Sequence, residues 1–176
     1  MNNNRVRYLK HDGVMISEVN AIISNVPEGI FIDATYGYGS HFQFLKQNNN
    51  HLEFVGIDRD FEAVQNSSDE VFSMNFSNIT DVLSIKHISK ISGVFYDFGV
   101  SSHQIDNPDR GFSYVQTGPL DMRMNQEDKT TANEVLNQFG EEDIANILYE
   151  YSGEKNSRKI AKAISNSRPL KTTEDF

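Results

Sequence analysis

Three acidic residues close short apolar runs: Asp33 after Ile30-Phe31-Ile32, Asp58 at the end of LEFVGID, and Asp97 near the end of GVFYDF. Thr35-Tyr-Gly-Tyr-Gly-Ser40 follows the first acid, and His41-Phe-Gln-Phe-Leu-Lys46 can open a helix. A strand, a glycine turn and a helix bring bare backbone N–H groups and a helix N-terminus up to a nucleotide-like ligand. Gly37 and Gly39 are free to take positive φ and set no Cβ in the way. Asp58 stands 19 residues past Gly39, near the ~20-residue spacing at which such folds set a carboxylate on ribose hydroxyls. The combination favours an adenosine-bearing cofactor. It is not a dinucleotide fingerprint, because Phe42 occupies the place of the third glycine, and this disfavours a nicotinamide enzyme. Asp33 reads more simply as a residue that tightens the loop.

The elements that position these residues alternate. Apolar residues from Val14 to Val26 recur at helical spacing and predict a helix over Ser17–Asn25, broken by Pro27-Glu-Gly29. The strand at Ile30–Ile32 is followed by a helix to about Lys46, a strand over Leu52–Asp58 and a helix over Phe61–Ser67. Next come a strand over Glu70–Asn75, a helix over Ile79–Ile88 and a strand over Gly93–Phe98, the last expected to be buried on both faces. This alternation is that of an α/β fold with a doubly wound, mostly parallel sheet. Four strands are legible, fewer than such folds usually carry, so the sheet is expected to be incomplete and the chain part of a longer protein.

After Asp97 the pattern changes. Gly99–Asn125 is long, polar and punctuated by glycine and proline, as functional loops are. Its apolar residues, among them Ile105, Phe112, Tyr114, Leu120, Met122 and Met124, predict that it is ordered. Helices follow over Thr131–Gln138, Glu141–Tyr151 and Glu154–Ser167, and Lys171–Phe176 reads as a threonine-capped helix start.

The 176 residues suit one compact domain with an appendage, and the absence of cysteine excludes disulfides and cysteine–zinc sites. No metal site is expected. No apolar run reaches the ~18 residues of a membrane span, and MNNNRVRYLKH has no signal-peptide core. A cytoplasmic protein without membrane partners is the expectation. The net charge of −9 disfavours a general nucleic-acid binder, but it is uneven. Residues 1–150 hold 10 Lys/Arg against 22 Asp/Glu, whereas residues 151–176 hold 6 against 3. That basic tail reads either as an electrostatic footprint or as a solvated helix face.

Nine segments in order carry a resemblance: HDGVMISEV, FIDATYGYGSH, GIDRD, NF, DFGVSSHQID, RGFSY, GPLDMRMN, YSGEKNSRKIAKAI and TTEDF. Together they make the chain similar to the S-adenosylmethionine-dependent methyltransferases that modify N4 of a cytidine in bacterial 16S ribosomal RNA. The chain departs from that family's usual pattern at Gly39-Ser40 for a glycine pair, at Gly13 and Phe61 for prolines, and at Ser152-Gly153. Family members also continue well beyond this length.

The resemblance implies a Rossmann-like S-adenosylmethionine-binding domain over residues 1–105 and a helical substrate-recognition region over 106–176. It implies that Gly39, Ser40 and His41 line the methionine end of the cofactor, that Asp58 takes the ribose hydroxyls, that Phe76 borders the adenine, and that Asp97 and Gln104 complete the pocket. Asp97, with Ser101 and Ser102, stands where other amino-methyltransferases carry their catalytic motif, with hydrogen-bonding and positioning roles. Phe112 and Tyr114 are candidates for stacking on the target base, and Arg110, Arg123, Lys155, Arg158 and Lys159 for RNA phosphates. Against this, aromatics in such a stretch more often pack the loop, and arginines beside Asp109 and Asp121 read as ion-pair partners. The implied partner is 16S ribosomal RNA in the small ribosomal subunit, with the oligomeric state open and a homodimer among the states allowed. The rival readings are a non-catalytic methyltransferase-like protein that binds cofactor or RNA, and a methyltransferase acting on a small molecule.

Overall fold

The computed structural model describes residues 13–176, so the asparagine-rich start, expected to fray, and His11-Asp12 of the first motif lie outside the described residues. The chain divides into two compact units between Gly99 and Val100.

The first unit is built on a sheet of four parallel strands: β1 (Gly29–Asp33), β2 (Leu52–Asp58), β3 (Val71–Ser73) and β4 (Gly93–Phe95), in the order β3-β2-β1-β4. The helices are α1 (Ile16–Ile23), α2 (Ser40–Asn48), α3 (Phe61–Gln65) and α4 (Ile79–Ile85). This is a Rossmann-like arrangement, with helical segments joining parallel strands.

Side chains alternate across the pleat, so each central strand feeds two cores. Phe31 and Phe54 are paired in register with ring centroids 5.5 Å apart, and they pack with Phe42 and Leu45 of α2 and Ile23 of α1. On the opposite face the paired Ile32 and Val55 join Ile57 and Val82 of α4. Burial on both faces is why β1 and β2 read as nearly continuous apolar runs.

The sequence expectation fails for β4. It is three residues long and half-buried rather than six and buried, and within the described sheet it lies at an edge, paired with β1. Beyond Phe95 the chain leaves the sheet, and Phe98 is 72% exposed. The strand β3 is likewise shorter than expected, because Asn75 ends it by capping a 3₁₀ turn at Phe76–Asn78, its side chain accepting from the Ser77 N–H.

The second unit contains α5 (Ser102–Asp106), α6 (Ala132–Gln138), α7 (Glu141–Ser152) and α8 (Ser157–Ser167). Ile144 and Ala145 of α7 meet Ala161 and Ile164 of α8, and Leu120 and Leu170 close the cluster from the loops. The long irregular stretch is ordered, but Leu120 is the loop residue buried in that core. Ile105, Tyr114 and Met122 are exposed. Lys171–Phe176 forms a turn in place of the expected helix start, with Asp175 accepting from the N–H groups of Lys171 and Thr172, and Thr172 bridges to Pro119. No helix among the described residues is long and apolar enough to cross a membrane.

Candidate active site

The strand order reverses at β1: the chain moves from β1 to β2 to β3 on one side, then returns to place β4 on the other. In open α/β sheets the crevice outside the carboxyl ends at such a reversal is where ligands bind. Asp33, Asp58 and Asp97 stand at or just beyond the carboxyl ends of β1, β2 and β4.

A small network ties these ends together. Asp33 accepts from the Thr35 N–H at 3.1 Å, and the Thr35 hydroxyl accepts from the Asp97 N–H at 2.7 Å. Asp58 accepts from the Gly37 N–H at 2.6 Å through one oxygen and from the Asp60 N–H at 2.8 Å through the other. The glycine turn is therefore held by carboxylates on both sides. Gly39 opens α2 from the left-handed region at φ 78°, and no side chain caps that helix. A Cβ at Gly39 would fall 2.6 Å from the Tyr36 hydroxyl, so the turn closes only around glycine.

The three carboxyl groups are electrostatically linked. Asp33 is 1% exposed, and burial, with the neighbouring charges of Asp58 and Asp97, pushes its pKa up to about 7 against the bond from Thr35. Its second oxygen is buried without a hydrogen-bond partner. Burial also raises the Asp58 carboxyl, opposed by the bonds from Asp60 and Gly37.

His41 is 8% exposed. Its Nε2 lies 2.9 Å from the Val14 carbonyl, its Nδ1 lies 3.6 Å from Asp97 Oδ2, and its ring sits 4.8 Å from that of Phe95. Phe76, Tyr96 and Phe98 form an aromatic group with centroid spacings of 5.5 to 5.6 Å. Tyr96 and Phe98 are exposed, which leaves an apolar face beside Asp97.

The first unit thus contains Gly39, Ser40, His41, Asp58, Phe76 and Asp97 around the sheet's carboxyl end. The second contains Ser101, Ser102 and Gln104. Ser101 caps α5, its hydroxyl accepting from the Gln104 N–H at 3.2 Å, while the Gln104 side-chain oxygen Oε1 accepts from the Ser101 N–H at 3.0 Å. This reciprocal box explains the spacing of the two residues without any ligand, and its S-x-x-Q signature was readable in the sequence. Arg110 is 3% exposed and donates to the carbonyls of Arg123 and Met124. Arg123 grips both oxygens of Asp121 and donates to the carbonyls of Gln126 and Asp128. Phe112 is half-buried, whereas Tyr114, Lys155, Arg158 and Lys159 are exposed. Thr35, Val14 and Gly13 are the site's contributors that sequence reasoning missed. Only the threonine, following an acid at a strand end, offered a signal.

The model of the MraW methylase family matches residues 8–176. The chain belongs to the MraW methylase family. Among the relatives of this MraW-family chain is the ribosomal RNA small subunit methyltransferase H of Halothermothrix orenii, 40% identical over 177 residues that take in 94% of this chain and 57% of the relative. The protein of the same name from Coprothermobacter proteolyticus is 37% identical over 180 residues, covering 96% of this chain and 60% of the relative. The chain spans about three fifths of the length of the curated relatives it matches.

Proposed function

We propose that this chain binds S-adenosylmethionine at the carboxyl ends of β1, β2 and β4 and serves, in the cytoplasm, to methylate N4 of a cytidine in the 16S RNA of the small ribosomal subunit. The observation that carries the reading is the meeting of an uncapped helix N-terminus, a glycine turn and three strand-end carboxyl groups at the sheet's reversal point. The names of the matched relatives support the RNA substrate.

The residues present fit that cofactor. The N–H groups of Ser40 and His41, at the uncapped start of α2 just after Gly39, suit a carboxylate. Asp58 already accepts from the backbone N–H groups of Gly37, Asp60 and Arg59, and keeps a remaining lone pair for a ribose hydroxyl. The faces of Phe76, Tyr96 and Phe98 suit a purine. When bound, the cofactor supplies an electrophilic methyl group on a sulfonium. Asp97 accepts from the exocyclic amine and orients its lone pair, so that positioning carries most of the rate.

In the second unit Ser101 and Gln104 hold α5 by their mutual cap. We assign Arg110 and Arg123 to shaping the loop, and the exposed Tyr114, Lys155, Arg158 and Lys159 to base stacking and phosphate contact. Calorimetric titration of the chain with S-adenosylmethionine tests the cofactor reading. The wild type is expected to bind, and Asp58→Ala to lose about ten- to a hundredfold in affinity. Undiminished binding in a folded Asp58→Ala variant would sink the pocket assignment. Turnover on small ribosomal subunits separates an enzyme from a cofactor-binding relative.

A further inference from the structure

We propose that His41 and Asp97 form a proton-holding pair, in which His41 Nδ1 accepts a proton that has reached Asp97. The pair itself rests on geometry. Its use in catalysis rests on the function proposed above.

The Val14 carbonyl can only accept, so the hydrogen bond of 2.9 Å places a proton on His41 Nε2. In the neutral ring the lone pair then lies on Nδ1, and that atom faces Asp97 Oδ2 at 3.6 Å. Two acceptors confront each other, an arrangement that a single shared proton relieves. The separation lies in ion-pair range, longer than a hydrogen bond, and the Asp97 side chain is half-exposed.

The ring has little freedom to turn away. Phe95 packs on it, and a flip would give up the bond to Val14. Opposite, Gly13 leaves room that a side chain would take, since a Cβ there would fall 2.6 Å from two ring atoms. The seating of His41 therefore depends on the glycine at position 13. Asp97 also acts on the buried Asp33 of β1, which in turn feels the charge of Asp58 of β2.

Methyl transfer to an exocyclic amine forms an N–CH₃ bond while the S–CH₃ bond breaks, its electron pair remaining on sulfur. The nitrogen becomes positive and must shed one N–H proton. That proton passes to Asp97 and on to His41 Nδ1, which restores the carboxylate. The resulting imidazolium directs one N–H at the Val14 carbonyl and the other at Asp97, and later releases the proton to solvent by the same route.

Histidine ring-nitrogen NMR on the full chain tests the pair. The expected neutral form is the Nε2–H tautomer, with the Nδ1 resonance displaced in Asp97→Asn and both ring resonances displaced in Gly13→Ala. A proton on Nδ1 in the neutral wild type, or an Nδ1 resonance indifferent to Asp97→Asn, would overturn the pair. The wild-type spectrum alone can decide against it, so the test does not depend on a variant folding. In single-turnover methylation, His41→Gln is expected to lower the rate about a hundredfold or more, and to remove an ionisation from the pH profile that Asp97→Asn also removes. An unchanged profile in His41→Gln overturns the catalytic use. Absence of cofactor binding by the wild type would overturn the proposed function and that use together, while the spectra still decide the pair.

Discussion

Asp33 carries its carboxyl group into the carboxyl end of the sheet, where one oxygen takes the Thr35 N–H and the other takes nothing. With its pKa pushed up to about 7 from 3.8, the folded chain keeps this proton through a range in which the unfolded chain has lost it. Stability therefore falls as pH rises from about 4 to about 7 and levels off above, by on the order of 4 kcal/mol from this group alone. Asp33→Asn keeps an acceptor for Thr35 and cannot ionise. Urea unfolding at pH 5 and at pH 7.5 should show a clearly smaller loss of stability in the variant than in the wild type. Equal losses would mean that the buried carboxyl is not the source. Asp58 is raised by burial as well, but the N–H groups of Asp60, Gly37 and Arg59 oppose that shift and tie the carboxyl to the glycine turn.

At the scale of elements, the stretch between α5 and α6 shows how a loop rich in glycine and proline becomes ordered without a sheet or a long helix. Two arginines supply donors to carbonyls that no regular ladder serves. Arg123 also holds the Asp121 carboxyl below the usual carboxylate range. Arg123→Ala should take a donor from the carbonyls of Gln126 and Asp128 and speed proteolytic cleavage near residues 121–128, with helical content unchanged. Cleavage at the wild-type rate would count against the arginine as the organiser of this loop. Gly118 lies so close to the Pro108 carbonyl that a Cβ could not be accommodated without backbone movement. Gly118→Ala is expected to cost about 2 kcal/mol in denaturant unfolding, and a neutral result would show that the loop shifts at little cost.

Over the whole molecule charge is divided, with acids dominating residues 1–150 and bases residues 151–176. The exposed Lys155, Arg158 and Lys159 sit at and just before the start of α8, whose apolar face is buried against α7. If they meet RNA phosphates as proposed, replacing all three by alanine lowers the slope of log affinity against log salt by about 2. A slope unchanged in the triple variant would return them to a solvated helix face.

The alternation of strands and helices, the glycine turn and the acids near three of the strand ends were legible in the chain because each is a local pattern. Period, turn chemistry and residue type need no partner to be read. The extent of β2 and the first residue of α7 were read correctly for that reason. The short β4, the exposure of Phe98 and the burial of Arg110 were not legible, since each depends on which neighbour the fold brings alongside. So does the seating of His41, between a carbonyl 27 residues earlier and a carboxylate 56 residues later. The sequence by itself determined the family, the class of fold and the residue types around the cofactor's expected place. Only the tertiary structure decided which donors are already engaged and which carboxyl is buried, because hydrogen-bond partners and desolvation belong to the packed chain.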